Sequence, residues 1–143
     1  NRRLRRHSMQ LLAFDYGLKN IGVAVGHTLT GTATALPLLK ARDGVPQWER
    51  VEEVLQEWQP ELVLVGLPLN MDDSESELSA RSRKFANRLR GRFAVAVEMV
   101  DERLTSFEAK GEVMARGGSR HYGKHPVDSI AARLIIETYL NSR

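Results

Sequence analysis

The chain has 143 residues, 42% of them apolar and 27% charged, the proportions of one ordinary globular domain. No apolar run approaches the roughly 18 residues of a membrane span, and the absence of cysteine excludes disulfide scaffolds and thiolate metal sites. The net charge of +3 is unevenly spread, because Arg2, Arg3, Arg5 and Arg6 supply four cations and leave 17 cations facing 18 acids from Met9 onward.

Residues 1–8 read as a basic leader, disordered or left over from cloning, with a nucleic-acid-binding arm as the alternative. Residues 9–143 read as a single domain without repeats or linkers. "LLAFDYG", "IGVAVGH" and "GTATALPLLK" are extended stretches joined by short turns that contain glycine, which predicts an antiparallel meander of three strands. "DGVPQWERVEEVLQEWQP" switches to a helical period: Trp48, Val51, Leu55 and Trp58 share one side, Pro46 suits the first turn and Pro60 follows the end. The tryptophans are expected in the core.

"ELVLVGLP" is a continuous apolar run, the pattern of a strand buried on both faces. A second helix over about 75–92 spaces Leu78, Phe85 and Leu89 on one face, and "FAVAVEMVD" supplies the fifth strand. "TSFE" opens a third helix with a capping box between Thr105 and Glu108, and "RGGSRHYGKH" is a basic, glycine-rich break. The last helix starts near Pro126 and turns Ala131, Ala132, Ile135 and Tyr139 inward. The fold class is α/β: a five-stranded mixed sheet, an antiparallel three-strand meander plus two parallel strands, flanked by helices.

Three places set an acid against the core. Asp15 ends the first strand, where burial of an isolated carboxylate would be prohibitive; it either binds a cation or hydrogen-bonds the turn at Gly17. Asp101 and Glu102 end the last strand, where functional groups of open α/β sheets gather. Neighbouring strand residues point to opposite faces, so one of the pair shares the crevice of Asp15; Glu102 is preferred and Asp101 is held in reserve. A surface ion pair with Arg103 is the alternative. Asp128 shares a helix face with Ala131, Ala132 and Ile135, or else only complements the helix dipole.

Three carboxylates brought together repel one another unless a cation joins them, and magnesium, an ion that prefers oxygen ligands, suits them. Two such ions, held about 3.5–4 Å apart, would activate water and stabilise the leaving oxygen in phosphodiester hydrolysis. The histidines compete poorly as ligands, since His7 is in the leader and His121 and His125 lie in the break.

The blocks "FDYGLKNIGVAVG", "VGLPLNMD", "DERLTS" and "KHPVDSIAA" resemble, in order and across nearly the whole chain from Met9, the YqgF or RuvX family of pre-16S rRNA nucleases. The resemblance implies an RNase H-like fold, a bacterial cytoplasmic location and a carboxylate-metal nuclease site of Asp15, Glu102 and Asp128, holding magnesium or manganese. It further implies structured RNA as substrate, in maturation of the 5′ end of 16S ribosomal RNA, with a ribosomal particle as a partner. The break and the leader depart from the family pattern. Arg116, Arg120 and Lys124 around the break, together with Asn70 and Arg103, are the candidate substrate contacts. Arg81, Lys84 and Arg88 form a helical stripe that either tracks phosphates or is a solvated face.

Other readings use the same residues. A four-way DNA junction resolvase would need a dimer to cut two strands symmetrically, and the sequence is compatible with a monomer or a homodimer. A noncatalytic RNA-binding factor in ribosome assembly or transcription would retain the acids for structure. A two-lobed ATPase with "DYGLKNIG" as its phosphate loop needs more chain than 143 residues provide.

Overall fold

The computed structural model describes residues 9–68, 76–101 and 127–142. Strands β1 (Gln10–Asp15), β2 (Asn20–His27) and β3 (Thr32–Arg42) form the expected antiparallel meander. A two-residue strand β4 (Val45–Pro46) folds back on β3, and β5 (Leu62–Leu67) and β6 (Val97–Asp101) extend the sheet parallel to β1. The order is β4-β3-β2-β1-β5-β6, so the sheet has six strands where the sequence predicts five. Helices α1 (Trp48–Trp58) and α2 (Glu77–Phe93) cover one face, and α3 (Val127–Asn141) covers the other.

Alternation along β1 divides the core. Leu12, Phe14 and Tyr16 face α1 and α2, packing with Val51, Leu55, Phe85 and Leu89. Leu11 and Ala13 face α3, packing with Ala132, Ile135, Ile136 and Tyr139. Asp15 has the parity of Leu11 and Ala13, so its position belongs to the α3 face. A slip of one residue would exchange Asp15 with Phe14, and each large side chain expelled from the core costs about 1.5–3 kcal/mol. The apolar pattern therefore fixes the face on which the acid stands.

The extra strand comes from "RDGV". Asp43 and Gly44 both have positive φ, 50° and 82°, as a tight two-residue hairpin of type I′ requires. Pro46 thus ends a strand instead of starting α1, which begins two residues later after Gln47. Trp48 and Trp58 are half-buried and pack against the α1/α2 core from its margin, not inside it. Gln59 closes α1 in a left-handed conformation, with its amide donating to Leu55, and Pro60 follows. Helix α2 starts at a Ser76 cap, and the buried Ser79 hydroxyl donates to the Pro68 carbonyl, tying the helix to the end of β5. The helix expected at "TSFE" and the glycine-rich break lie outside the described residues.

Gly26 lets α3 approach β2 closely. A Cβ there would stand 2.6 Å from the Thr32 carbonyl oxygen and 2.7 Å from Ile136 Cγ2. Gly91, in α2, faces open space. Urea unfolding should therefore show opposite signs: Gly26→Ala loses about 1–3 kcal/mol by overpacking, whereas Gly91→Ala gains about 0.5–1 kcal/mol from helix propensity.

Candidate active site

Parallel strands end on the same side, so Asp15 and Asp101 both lie at the carboxyl edge of the sheet. Asp15 pairs with Gly22 on β2, and Gly66 on β5 stands one step beyond the Phe14 and Val65 pair. Two glycines thus flank the carboxylate on adjacent strands, keeping the sheet low beside it.

The direction of α3 follows from two contacts. Ser129, fully buried in the first turn, donates to the Leu36 carbonyl at 2.6 Å, and Leu36 lies on the same rung as Val23 and Phe14. Ile136 meets Gly26, which pairs with Leu11 at the other end of β1. Seven helical residues rise about 10 Å. Three strand residues, from Leu36 back to Ala33, cover about the same length. Helix α3 therefore runs antiparallel to β1, and its amino-terminal turn, which contains Asp128, reaches the edge and the face that Asp15 occupies.

The backbone thus brings Asp15 and Asp128 to one corner of the sheet. Asp101 also reaches the edge but has the parity of Val97 and Met99, which pack toward α1 and α2; Val100 packs toward α3. Among the described residues no three metal-ligating side chains cluster. Glu102, Asn70, Arg103, Arg116, Arg120 and Lys124 lie outside the described residues, as does the Asp128 side chain. The candidate donors are all carboxylate oxygens, a set that suits a hard divalent cation such as magnesium or manganese.

Ser129 was missed from sequence. Its signal is Pro37, since the β2–β3 register shifts between Ile21 and Val23, opposite a stretch of β3 that contains Pro37. A proline within an extended run marks such a bulge, and α3 docks beside it. The Arg81, Lys84 and Arg88 stripe faces a cleft of about 260 Å³ on the α1/α2 side, lined also by Tyr16, Gly44 and Trp48.

The three-layer arrangement with a mixed sheet is that of RNase H-like resolvases. The chain is similar to the RuvC resolvase of T. thermophilus solved with a Holliday junction, with a TM-score of 0.60, 21% identity, and coverage of 94% of this chain and 96% of that one. The Holliday junction resolvase of fowlpox virus, solved with junction DNA, gives a TM-score of 0.55 at 16% identity and covers 94% of this chain and 98% of that one. Residues 9–142 match the family model described as "RuvX: Holliday junction resolvase". A protein of Marinobacter nauticus named "Putative pre-16S rRNA nuclease" is 62% identical over 130 residues, 91% of either chain. One of Pasteurella multocida with the same name is 55% identical over 135 residues, 94% of this chain and 96% of its own. The chain belongs to the RuvX family, also called YqgF.

Removing the Ser129 hydroxyl leaves the half-buried Leu36 carbonyl without that donor. Ser129→Ala should lower unfolding stability by about 1–3 kcal/mol, read by urea titration, while an exposed Ser142→Ala should stay within about 0.5 kcal/mol.

Proposed function

We propose that this chain is a metal-dependent endonuclease that hydrolyses phosphodiesters in structured RNA, with the 5′ end of precursor 16S ribosomal RNA as its substrate. The observation that carries the reading is the meeting of the Asp15 strand end with the Asp128 turn of α3, on one face of one edge. The names of the relatives support RNA as the substrate.

In this reading Asp15, Glu102 and Asp128 hold magnesium or manganese, two ions when substrate is bound. Glu102 is preferred to Asp101 because Asp101 has the parity of Val97 and Met99, toward α1 and α2 and away from the Asp15 face. Bound ions of this kind supply Lewis acidity at the attacking water and at the leaving oxygen. Asp15, held by the fully buried residues before it, offers a fixed oxygen donor, so little reorganisation is needed as charge develops. Asn70 and Arg103 contact the RNA beside the scissile bond, and Arg116, Arg120 and Lys124 contact its backbone. The working unit is residues 9–143, acting in the cytoplasm on a ribosomal particle or its RNA, as a monomer or a homodimer.

The family description favours a second reading, cleavage of a four-way DNA junction, which requires a dimer. No helix among the described residues is long and apolar enough to cross a membrane.

Cleavage of a precursor 16S rRNA fragment and of a four-way DNA junction, assayed side by side with magnesium, manganese or chelator, separates the readings. Wild type should cut the RNA only with metal. Asp15→Asn should lose on the order of 10³-fold in rate, roughly 4 kcal/mol, while its unfolding curve is unchanged. Cutting of the junction alone would move the substrate to DNA. Binding of RNA without any cleavage would favour the noncatalytic factor, and an unfolded Asp15→Asn would show that the acid serves the turn.

A further inference from the structure

Helix α2 carries six cations, Arg81, Arg83, Lys84, Arg88, Arg90 and Arg92, against the single acid Glu77. The rest of the chain from Met9 has 11 cations against 17 acids, so this helix is a local positive field on an otherwise acidic body. Most of its cations have structural partners. Arg81 bridges α2 to the β3–β4 hairpin, with Asp43 at 3.7 Å and Glu77 at 3.8 Å. Arg90 donates to Asn87 at 2.6 Å and to the Val97 carbonyl at 2.9 Å, and the Arg92 guanidinium lies 4.3 Å over the Trp48 ring. Arg83 also has a partner. Lys84 and Arg88 differ: both are exposed, stand one turn apart on the same helix face, and have no ion-pair partner among the described residues.

Both line the cleft of about 260 Å³ whose floor and far wall are Tyr16, Trp48, Phe85 and the hairpin at Gly44. The wall is held firmly. The Tyr16 hydroxyl donates to the Gly44 carbonyl at 2.7 Å, the Gly44 amide donates to the Leu18 carbonyl at 2.9 Å, and Phe85 lies 5.1 Å from the Tyr16 ring. Trp48 is already covered by Arg92 and stacked on Phe85, so the cleft offers cations to an anionic chain more readily than a ring face to a base.

Its place in the fold gives the cleft its meaning. Tyr16 follows Asp15 directly, and consecutive residues point to opposite faces. Asp15 and the basic cleft thus lie at the same sheet edge, on either side of a single strand end.

We propose that this cleft is a second phosphate site, in which Lys84 and Arg88 hold the sugar–phosphate backbone of the nucleic-acid substrate where it passes over the sheet edge, away from the scissile bond. The proposal rests on the nuclease reading for its ligand. It accounts for two cations without an ion-pair partner among the described residues, set in a rigid cleft beside the site proposed to cut a polyanion.

The test is equilibrium binding, by fluorescence anisotropy in chelator so that nothing is cut, to the precursor 16S rRNA fragment and to a four-way DNA junction at several salt concentrations. Lys84→Ala/Arg88→Ala should bind at least about tenfold more weakly, and its plot of log affinity against log salt should be shallower by about 1.4–1.8, the share of two lost phosphate contacts. Lys40→Ala/Arg50→Ala removes the same charge from the groove between β3 and α1 and should stay within about twofold of wild type. Lys84→Glu alone, at an exposed position, should repeat the loss. A loss confined to the RNA or to the junction assigns the cleft to that nucleic acid. Equal behaviour of the two double variants, or an unchanged salt slope for Lys84→Ala/Arg88→Ala, overturns the proposal. No cleavage is read here, so a nuclease reading that fails in the metal-dependent assay fails separately.

Discussion

The seam between α3 and the sheet sets the geometry on which the candidate site depends. Ala132, Ile135, Ile136 and Tyr139 pack on Leu11, Ala13 and Ala24, and Gly26 gives the helix room to settle against β2. The Ser129 hydrogen bond to Leu36 fixes the sliding position of the helix along the strands. With direction and height both fixed, the first turn of α3 has one place to be, beside the end of β1. Apolar burial elsewhere thus brings the backbone of Asp15 and of Asp128 to one corner, and in the proposed function a cation between their carboxylates would relieve the repulsion.

The same edge separates charge by face. Strand alternation gives the Asp15 position to the α3 side and Tyr16 to the α1/α2 side, so an acid and a basic cleft stand on opposite faces of one strand end. A chain whose body carries almost no net charge can in this way keep the proposed cation site and the proposed polyanion surface on separate faces. The family membership and the RNase H-like fold are in keeping with such a division.

Much of the fold was legible because its strands are strongly apolar. The continuous runs of β1, β2 and β5 and the helical spacing of Phe85 and Leu89 each admit one interpretation, and the parallel placement of β5 and β6 followed from the helices between them. The sixth strand was missed because Pro46 is equally at home in a first helical turn, and two residues of pairing leave no periodic trace. The dipeptide Asp43-Gly44 was the available signal, since both positions take the positive φ that a tight hairpin demands. The tryptophans sit at the core margin for a reason that spacing cannot express: Trp48 is shared between Phe85 and the Arg92 guanidinium. At the site, Asp15 was legible as an acid within an apolar strand. Ser129 was not, because the partner of its hydroxyl is a carbonyl 93 residues away.

The central claim is that Asp15 and Asp128, with Glu102 in preference to Asp101, share divalent cations at one corner of the sheet. Crystals of the protein soaked in manganese, with anomalous diffraction measured near the manganese edge, test it directly. The account predicts anomalous density bonded to carboxylate oxygens of Asp15, Glu102 and Asp128, lost when Asp15 is replaced by Asn. Density held by Asp101 on the α1/α2 side, or manganese bound with Asp15 outside its coordination shell, would contradict it.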